Sequence, residues 1–280
     1  MQELTAHTIL DGLVFPECPR WRDDELWFSD VHAHRIVAMT PDGATRTVYE
    51  HAGQPAGLGW TPDGTLLFAS MLDRTLQRLV GGKAEVVADL SPFERVQVND
   101  MVVDARGRAY VGCFGFDINT GEQFRAANIV LVDAGGSARV AADELRFPNG
   151  MVITPDGRTL IVAETVGRCL TAFDIADDGS LSNRRAWAVV PTFPDGICLD
   201  AEGAVWVAGP ATKHCVRVRE GGEVTHRVRP DGERGVYACA LGGSDGRTLY
   251  LCTADTTGPQ LAQGISTGWL EAVQVDVPAA

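Results

Sequence analysis

The segment Phe147-Pro148-Asn149-Gly150-Met151-Val152-Ile153-Thr154-Pro155-Asp156-Gly157-Arg158-Thr159-Leu160-Ile161-Val162-Ala163 reads as a short polar opening, an apolar strand, a tight turn at Pro155-Asp156-Gly157 and a second apolar strand. The same order recurs along the chain. Its other openings are Pro16-Glu17-Cys18-Pro19-Arg20-Trp21, Pro55-Ala56-Gly57-Leu58-Gly59-Trp60, Val98-Asn99-Asp100-Met101-Val102-Val103, Pro194-Asp195-Gly196-Ile197-Cys198-Leu199 and, more weakly, Tyr237-Ala238-Cys239-Ala240-Leu241-Gly242. Taking the second residue of each, the steps from Glu17 to Ala56, Asn99, Asn149, Asp195 and Ala238 are 39, 43, 50, 46 and 43 residues. That is the length of one four-stranded propeller blade. The repeat predicts an all-β, six-bladed β-propeller with four-stranded antiparallel blades, forming one domain over residues 1–280. A strand near Ala6 to Leu10 is expected to complete the last blade, so that no sheet edge stays open where the ring begins and ends.

Composition agrees with this reading and narrows the function. Glycine and proline number 31 and 14, in keeping with many turns between short elements, and 45% hydrophobic residues can supply a sizeable core. The formal charge of −13 is opposite to what nucleic acid attracts. No run approaches the roughly 18 apolar residues of a membrane helix, and the first residues lack a basic segment followed by an apolar one. A cytoplasmic protein without nucleic-acid or membrane partners is expected. The seven cysteines are odd in number and contain no C-x-x-C pair, so they read as reduced core residues.

The first strand of each propeller blade lines the central channel, so residues at one repeat phase form a ring about the axis. Here the ring is Glu17, Ala56, Asn99, Asn149, Asp195 and Ala238. Two carboxylates buried side by side cost several kcal/mol unless one is protonated or a cation joins them. The donors at this phase are all oxygens, which suits a hard divalent ion such as calcium, magnesium or manganese rather than a zinc-thiolate centre. The two alanines leave room for waters and a substrate. Asn-Gly and Asp-Gly are also ordinary turn dipeptides. The repeat nevertheless places Pro148-Asn149-Gly150 and Pro194-Asp195-Gly196 ahead of the first strand, at a different phase from the hairpin turns at Pro62-Asp63-Gly64 and Pro155-Asp156-Gly157.

The meander also selects the loops around the ring, namely those between second and third strands. Cys113 to Ala127 and Thr253 to Gly268 are long enough to wall a pocket. Phe114, Phe116, Arg125 and Trp269, on or beside them, are candidate lining residues; Trp21, Trp27, Trp60 and Trp206 read as core. His32 and His34 share a ring-face loop and are most simply solvated. No Ser-His-Asp order, G-x-S-x-G elbow or phosphate-binding glycine motif occurs.

Glu17 in P-E-C-P-R-W, Asn99-Asp100 in V-N-D-M-V-V-D, F-P-N-G-M at 147–151 and F-P-D-G-I at 193–197 together resemble the SMP-30/gluconolactonase/luciferin-regenerating-enzyme-like family. The similarity runs from about Gly12 to Val277. It implies a divalent cation on the axis held by Glu17, Asn149 and Asp195, with calcium first and magnesium, manganese or zinc as alternatives. It also implies lactonase activity with a small-molecule lactone or ester as substrate, Asp195 as the proton-accepting catalytic residue, and Asn99 contacting the substrate. Sugar-lactone members often carry an arginine two residues before this asparagine. Here that position is Gln97, which argues against a phosphorylated or highly polar sugar. Two other readings are consistent with the same residues: a metal-dependent phosphotriesterase or aryl esterase, and a non-catalytic metal-binding propeller with a regulatory role.

Overall fold

The computed structural model describes residues 1–118, 120–256, 260 and 266–280. Six antiparallel sheets are arranged as blades. Blade one is built from Pro16–Arg22, Glu25–Asp30, Arg35–Met39 and Thr45–Glu50, and blade two from Pro55–Trp60, Leu66–Ser70, Thr75–Val80 and Lys83–Asp89. Blade three uses Val98–Val103, Ala109–Cys113, Ala127–Val132 and Ala138–Leu145, and blade four Pro148–Ile153, Thr159–Glu164, Cys169–Ile175 and Leu181–Val189. Blade five comprises Ile197–Leu199, Val205–Gly209, His214–Val218 and Val224–Arg229, and blade six Gly235–Gly242, Thr248–Asp255 and Thr267–Gln274. Among the described residues no helix is long and apolar enough to cross a membrane.

The ring closes through the N-terminus in two places. His7–Leu13 forms the outer strand of blade six, antiparallel to Thr267–Gln274, as the repeat predicts. Gln2–Thr5 continues onto blade five, where it pairs in parallel with Val224–Arg229 and caps that edge. The seam between the last and first blades is packed like the others. Leu26, Phe28 and Val37 of blade one share a buried cluster with Ala240, Tyr250 and Leu270 of blade six, and Trp21 stacks on Tyr250 at 5.6 Å. Such contacts bind the two ends of the chain through ordinary hydrophobic burial, at about 25 cal/mol per Å² of apolar surface. Of the four tryptophans read as core, Trp206 is fully buried. Trp60 and Trp27 are half-buried, with Arg22 and Arg46 stacked over their rings.

The hairpin turns follow the sequence signals. In Thr154-Pro155-Asp156-Gly157, the Asp156 carboxylate accepts the Arg158 N–H at 3.0 Å and Gly157 takes φ +71°. Gly150 and Gly196 behave differently. Neither has a positive φ. A Cβ on Gly150 would stand 2.6 Å from the Ile197 nitrogen, and one on Gly196 would stand 2.6 Å from the Ala238 Cα. Glycine occurs here because neighbouring first strands approach backbone to backbone around the hub, so these dipeptides are not turns.

Candidate functional site

Asp195 precedes its first strand, Ile197–Leu199, as the repeat predicts, whereas Glu17, Ala56, Asn99 and Asn149 lie inside theirs, in or beside an irregularity. Pairing with the second strand slips between Glu17 and Arg20, between Pro55 and Leu58, between Val98 and Met101, and between Pro148 and Met151. A bulge re-aims side chains out of the alternation of a regular strand, which lets successive blades present a residue to the axis without losing their packed faces.

At the sixth position the expected phase was off by one. The Gly150 N–H donates to the Asp195 carbonyl, and the Gly196 N–H donates to the Tyr237 carbonyl in the same pattern. Tyr237 is therefore the counterpart of Asp195, and Ala238 is a core residue packed with blade one. The pairing slips here by one residue as it does in the first four blades, so Val236-Tyr237-Ala238-Cys239 aligns with Pro148-Asn149-Gly150-Met151, and the weak sixth opening reads one residue late in the sequence.

Glu17, Ala56, Asn99, Asn149, Asp195 and Tyr237 meet at the floor of one cavity of about 550 Å³ on the axis. Loops between second and third strands wall it, contributing His32 from blade one, Met71 from blade two, Phe114 from blade three, Thr165 from blade four and Pro210 from blade five. Of the two long loops, Cys113 to Ala127 provides Phe114 and Ile118. In Thr253 to Gly268, residues 257–259 and 261–265 lie outside the described residues, so that part of the expected wall is not placed. Phe116 stands behind the wall against Phe147, Arg125 borders a separate surface cleft, and Trp269 is covered by the Arg234 guanidinium at 3.8 Å. His34 turns away to the Ala52 carbonyl, while His32 accepts from Gln54 at 3.2 Å, so the two histidines form no pair. Burial holds the His32 imidazole below its ordinary pKa.

Buried carboxylates fix the strands that enter the ring. Asp30, at the end of the second strand of blade one, accepts the Val14 and Phe15 N–H groups at 3.0 and 2.8 Å and pairs with Arg35. Glu164, at the equivalent place in blade four, accepts the Arg146 N–H at 2.7 Å. These contacts sit two and three residues ahead of Glu17 and Asn149 and set where each ring residue begins.

The site is strongly acidic. Burial, followed by the charges of Asp195 and Asp100, holds the Glu17 carboxyl well above its usual range. Asp195 is pushed up to about 8, first by burial and then by Asp100 and Cys239, against a hydrogen bond from Asn149. Both groups are enclosed by protein on most sides, yet each retains a face open to the cavity. Asp100 lies beside them but is neutralised by Arg20, whose guanidinium donates at 2.6 Å to Asp100 and at 2.8 Å to the Met101 carbonyl. With that pair cancelled, Glu17 and Asp195 remain as two carboxyls with no cationic side chain of their own, each holding its proton more tightly than an exposed acid and ionised together only beside a cation.

The amides complete the donor set. The Asn99 Nδ2 points to the Pro148 carbonyl at 3.5 Å, and the Asn149 Nδ2 to the Thr165 hydroxyl at 3.3 Å. Their nitrogens are thus engaged, and the Oδ1 atoms are the acceptors left over. Thr165 in turn donates to the Pro194 carbonyl at 2.7 Å, linking Asn149 to the segment that carries Asp195. Among the described residues no group of three His, Cys, Asp or Glu side chains forms a metal cage. Two carboxylates plus two amide oxygens, all hard, nevertheless suit one divalent cation in charge and chemistry.

Sequence reasoning missed three participants. Tyr237 was missed because the sixth opening lacks the proline and glycine that align most of the others, the Arg20–Asp100 pair because its members are 80 positions apart, and Thr165 because it carries no motif. A cleft of about 840 Å³ elsewhere carries no comparable chemistry, because the charges along it pair locally, Arg106 with Asp177 at 2.8 Å and Arg108 with Asp104 at 2.6 Å.

Comparison with known proteins agrees with this architecture. A 6-deoxy-6-sulfogluconolactonase of Pseudomonas putida is 25% identical over 289 aligned positions, covering 99% of this chain and 97% of its own. A pentonolactonase of Haloferax volcanii is 28% identical over 251, covering 86% and 82%. The solved structure of a luciferin-regenerating enzyme superposes with a TM-score of 0.82 at 18% identity, over 97% of this chain and 95% of that one, and so shares the fold. The sequence pattern of the SMP-30/gluconolactonase/LRE-like region matches residues 15–255, from the strand that brings Glu17 to the hub through the second strand of the last blade, and the chain belongs to that family.

Proposed function

We propose that this protein is a divalent-metal-dependent lactonase. The observation that supports it most is the convergence of Glu17 and Asp195 with two amide oxygens at the floor of an open cavity, beside an internally neutralised Arg20–Asp100 pair. Lactonases among the relatives point the same way. Glu17, Asn149 and Asp195 would hold the cation, with calcium preferred for an all-oxygen donor set. Bound there, a cation would polarise the lactone carbonyl and stabilise the oxyanion.

The remaining chemistry belongs to the protein's own side chains. Asn99 orients the substrate oxygen over the floor. Asp195 accepts a proton as water adds to the carbonyl carbon, and returns it to the ring oxygen as the acyl–oxygen bond breaks, giving a hydroxy acid. The product ionises in a site of negative field, which favours its departure.

Two measurements test this together. Calorimetric titration of the metal-stripped protein with calcium should show one site, lost in Asp195→Ala. Hydrolysis of a lactone panel with added divalent ions should fall by at least about 100-fold in the same variant, the range expected for removing a positioned acid–base group. Equal rates in the two proteins would remove the claim. Faster turnover of phosphotriesters or aryl esters than of every lactone would reassign the substrate on the same floor.

A further inference from the structure

The floor of the cavity is polar, but its upper part is not. Of the ten large apolar side chains that stand exposed among the described residues, four border this one opening: Leu72, Ile118, Val166 and Phe193, at 45%, 50%, 36% and 44% exposure. They come from the loops of blades two, three and four and from the link into blade five, so they encircle much of the mouth. Beneath them Phe114 and Phe147, 4.7 Å apart, form a buried aromatic wall. Exposed apolar groups gathered at one opening, rather than scattered, mark a surface kept for a ligand.

No lysine or arginine lines the cavity among the described residues. Arg168, near the mouth, is stacked on the Phe193 ring at 5.1 Å and contributes no lining. The stretch 257–265 contains no charged residue in its sequence. A sulfonated, phosphorylated or carboxylated substituent would find no counter-charge in these walls. Hydroxyls on the ring itself can meet Gln97 and Tyr237, but those of a polyhydroxylated substituent reaching the mouth would lie against Leu72, Ile118, Val166 and Phe193, where each unpaired group is costly. Of the polar wall groups, His32 and Gln54 already bond to each other.

On the basis of the lactonase reading above, we infer that the preferred substrate is a neutral lactone carrying an apolar substituent, an alkyl chain or aromatic ring, with the lactone ring on the floor and the substituent between Phe114, Phe147 and the mouth. A cavity of about 550 Å³ lies in the range that holds drug-sized ligands and exceeds what a bare ring fills.

The test compares δ-valerolactone, δ-octalactone, δ-decalactone and D-glucono-1,5-lactone with the metal-loaded protein. Expected is a kcat/KM rising by roughly three- to fourfold per added methylene until the wall is filled, with gluconolactone below δ-decalactone. In the surface double variant Ile118→Ser/Phe193→Ser the dependence on chain length should flatten. Gluconolactone at or above δ-decalactone, or no dependence on chain length, would overturn the inference and leave the lactonase reading standing.

A second readout is independent of turnover: calorimetric affinity of the hydrolysis-resistant lactam 6-pentyl-2-piperidone against 2-piperidone. Binding at least about tenfold tighter for the pentyl compound supports the apolar substituent site even if no lactone is hydrolysed, a result that would sink the lactonase reading alone. Equal affinities refute the site.

Discussion

Replacing Asp195 by asparagine should stabilise the metal-free protein while abolishing its stabilisation by calcium. Burial in company with other carboxylates lifts the folded-state pKa of Asp195 to about 8 from an ordinary 3.8. An acid whose folded pKa is raised binds more protons in the folded than in the unfolded state. Its penalty is therefore absent below the unfolded value, grows as pH rises and levels off above the folded value. At neutral pH about three units of that shift are expressed, which at about 1.36 kcal/mol per unit gives a ceiling near 4 kcal/mol. Solvent reaching the carboxyl through the cavity, and repulsion shared with Glu17, reduce this to about 2 kcal/mol.

Asparagine keeps the shape and the hydrogen bond and removes the charge. With an unfolding entropy of about 2.1 cal/mol/K per residue, 2 kcal/mol in a 280-residue chain raises Tm by about 3 °C. The assay is thermal unfolding in chelator, wild type against Asp195→Asn, at about pH 5 and about pH 8; the advantage of the variant should be larger at the higher pH. Calcium at about 100 times its Kd should then add about 2.7 kcal/mol to the wild type and nothing to the variant. A variant less stable than wild type at both pH values, or equal calcium stabilisation of both proteins, would refute the reasoning.

Thr165→Val should leave the fold intact, since the residue is half-buried at the cavity wall. It removes the hydroxyl linking Asn149 to the Pro194 carbonyl, so calcium affinity measured by calorimetry should fall by about 10- to 100-fold, as for groups that orient metal ligands. Gly150→Ala places a methyl 2.6 Å from the Ile197 nitrogen and 2.8 Å from the Asp195 carbonyl oxygen. Chemical denaturation should show a loss of about 1–3 kcal/mol or more, together with weakened cation binding, because the strain falls on the segment carrying Asp195.

The architecture was readable because it is periodic. A repeat of about one blade, hairpin turns that declare themselves as Pro-Asp-Gly, and alternating apolar runs are local signals, and the packing of blade six against blade one needs only that they recur. Four of the hub residues, Glu17, Asn99, Asn149 and Asp195, were visible for the same reason: each occupies one phase of the repeat. Within the same dipeptides, the reason for glycine was not visible. In Pro148-Asn149-Gly150 it answers to the backbone of blade five, 45 or more residues on, and not to a turn.

What depends on the amino-acid order alone is thus the number of blades, the closure by the N-terminal strand and the supply of oxygen donors at one phase. Tertiary structure alone decided that Tyr237 rather than Ala238 takes the sixth place, that Arg20 cancels Asp100 and leaves two carboxylates unbalanced, and that Thr165 ties Asn149 to the neighbour of Asp195. It also decided that Leu72, Ile118, Val166 and Phe193, far apart along the chain, share one opening. Period and turn chemistry are set by residues within a few positions of one another, whereas bulges, charge cancellation and the wall of a cavity depend on atoms that only the closed ring brings within a few ångströms.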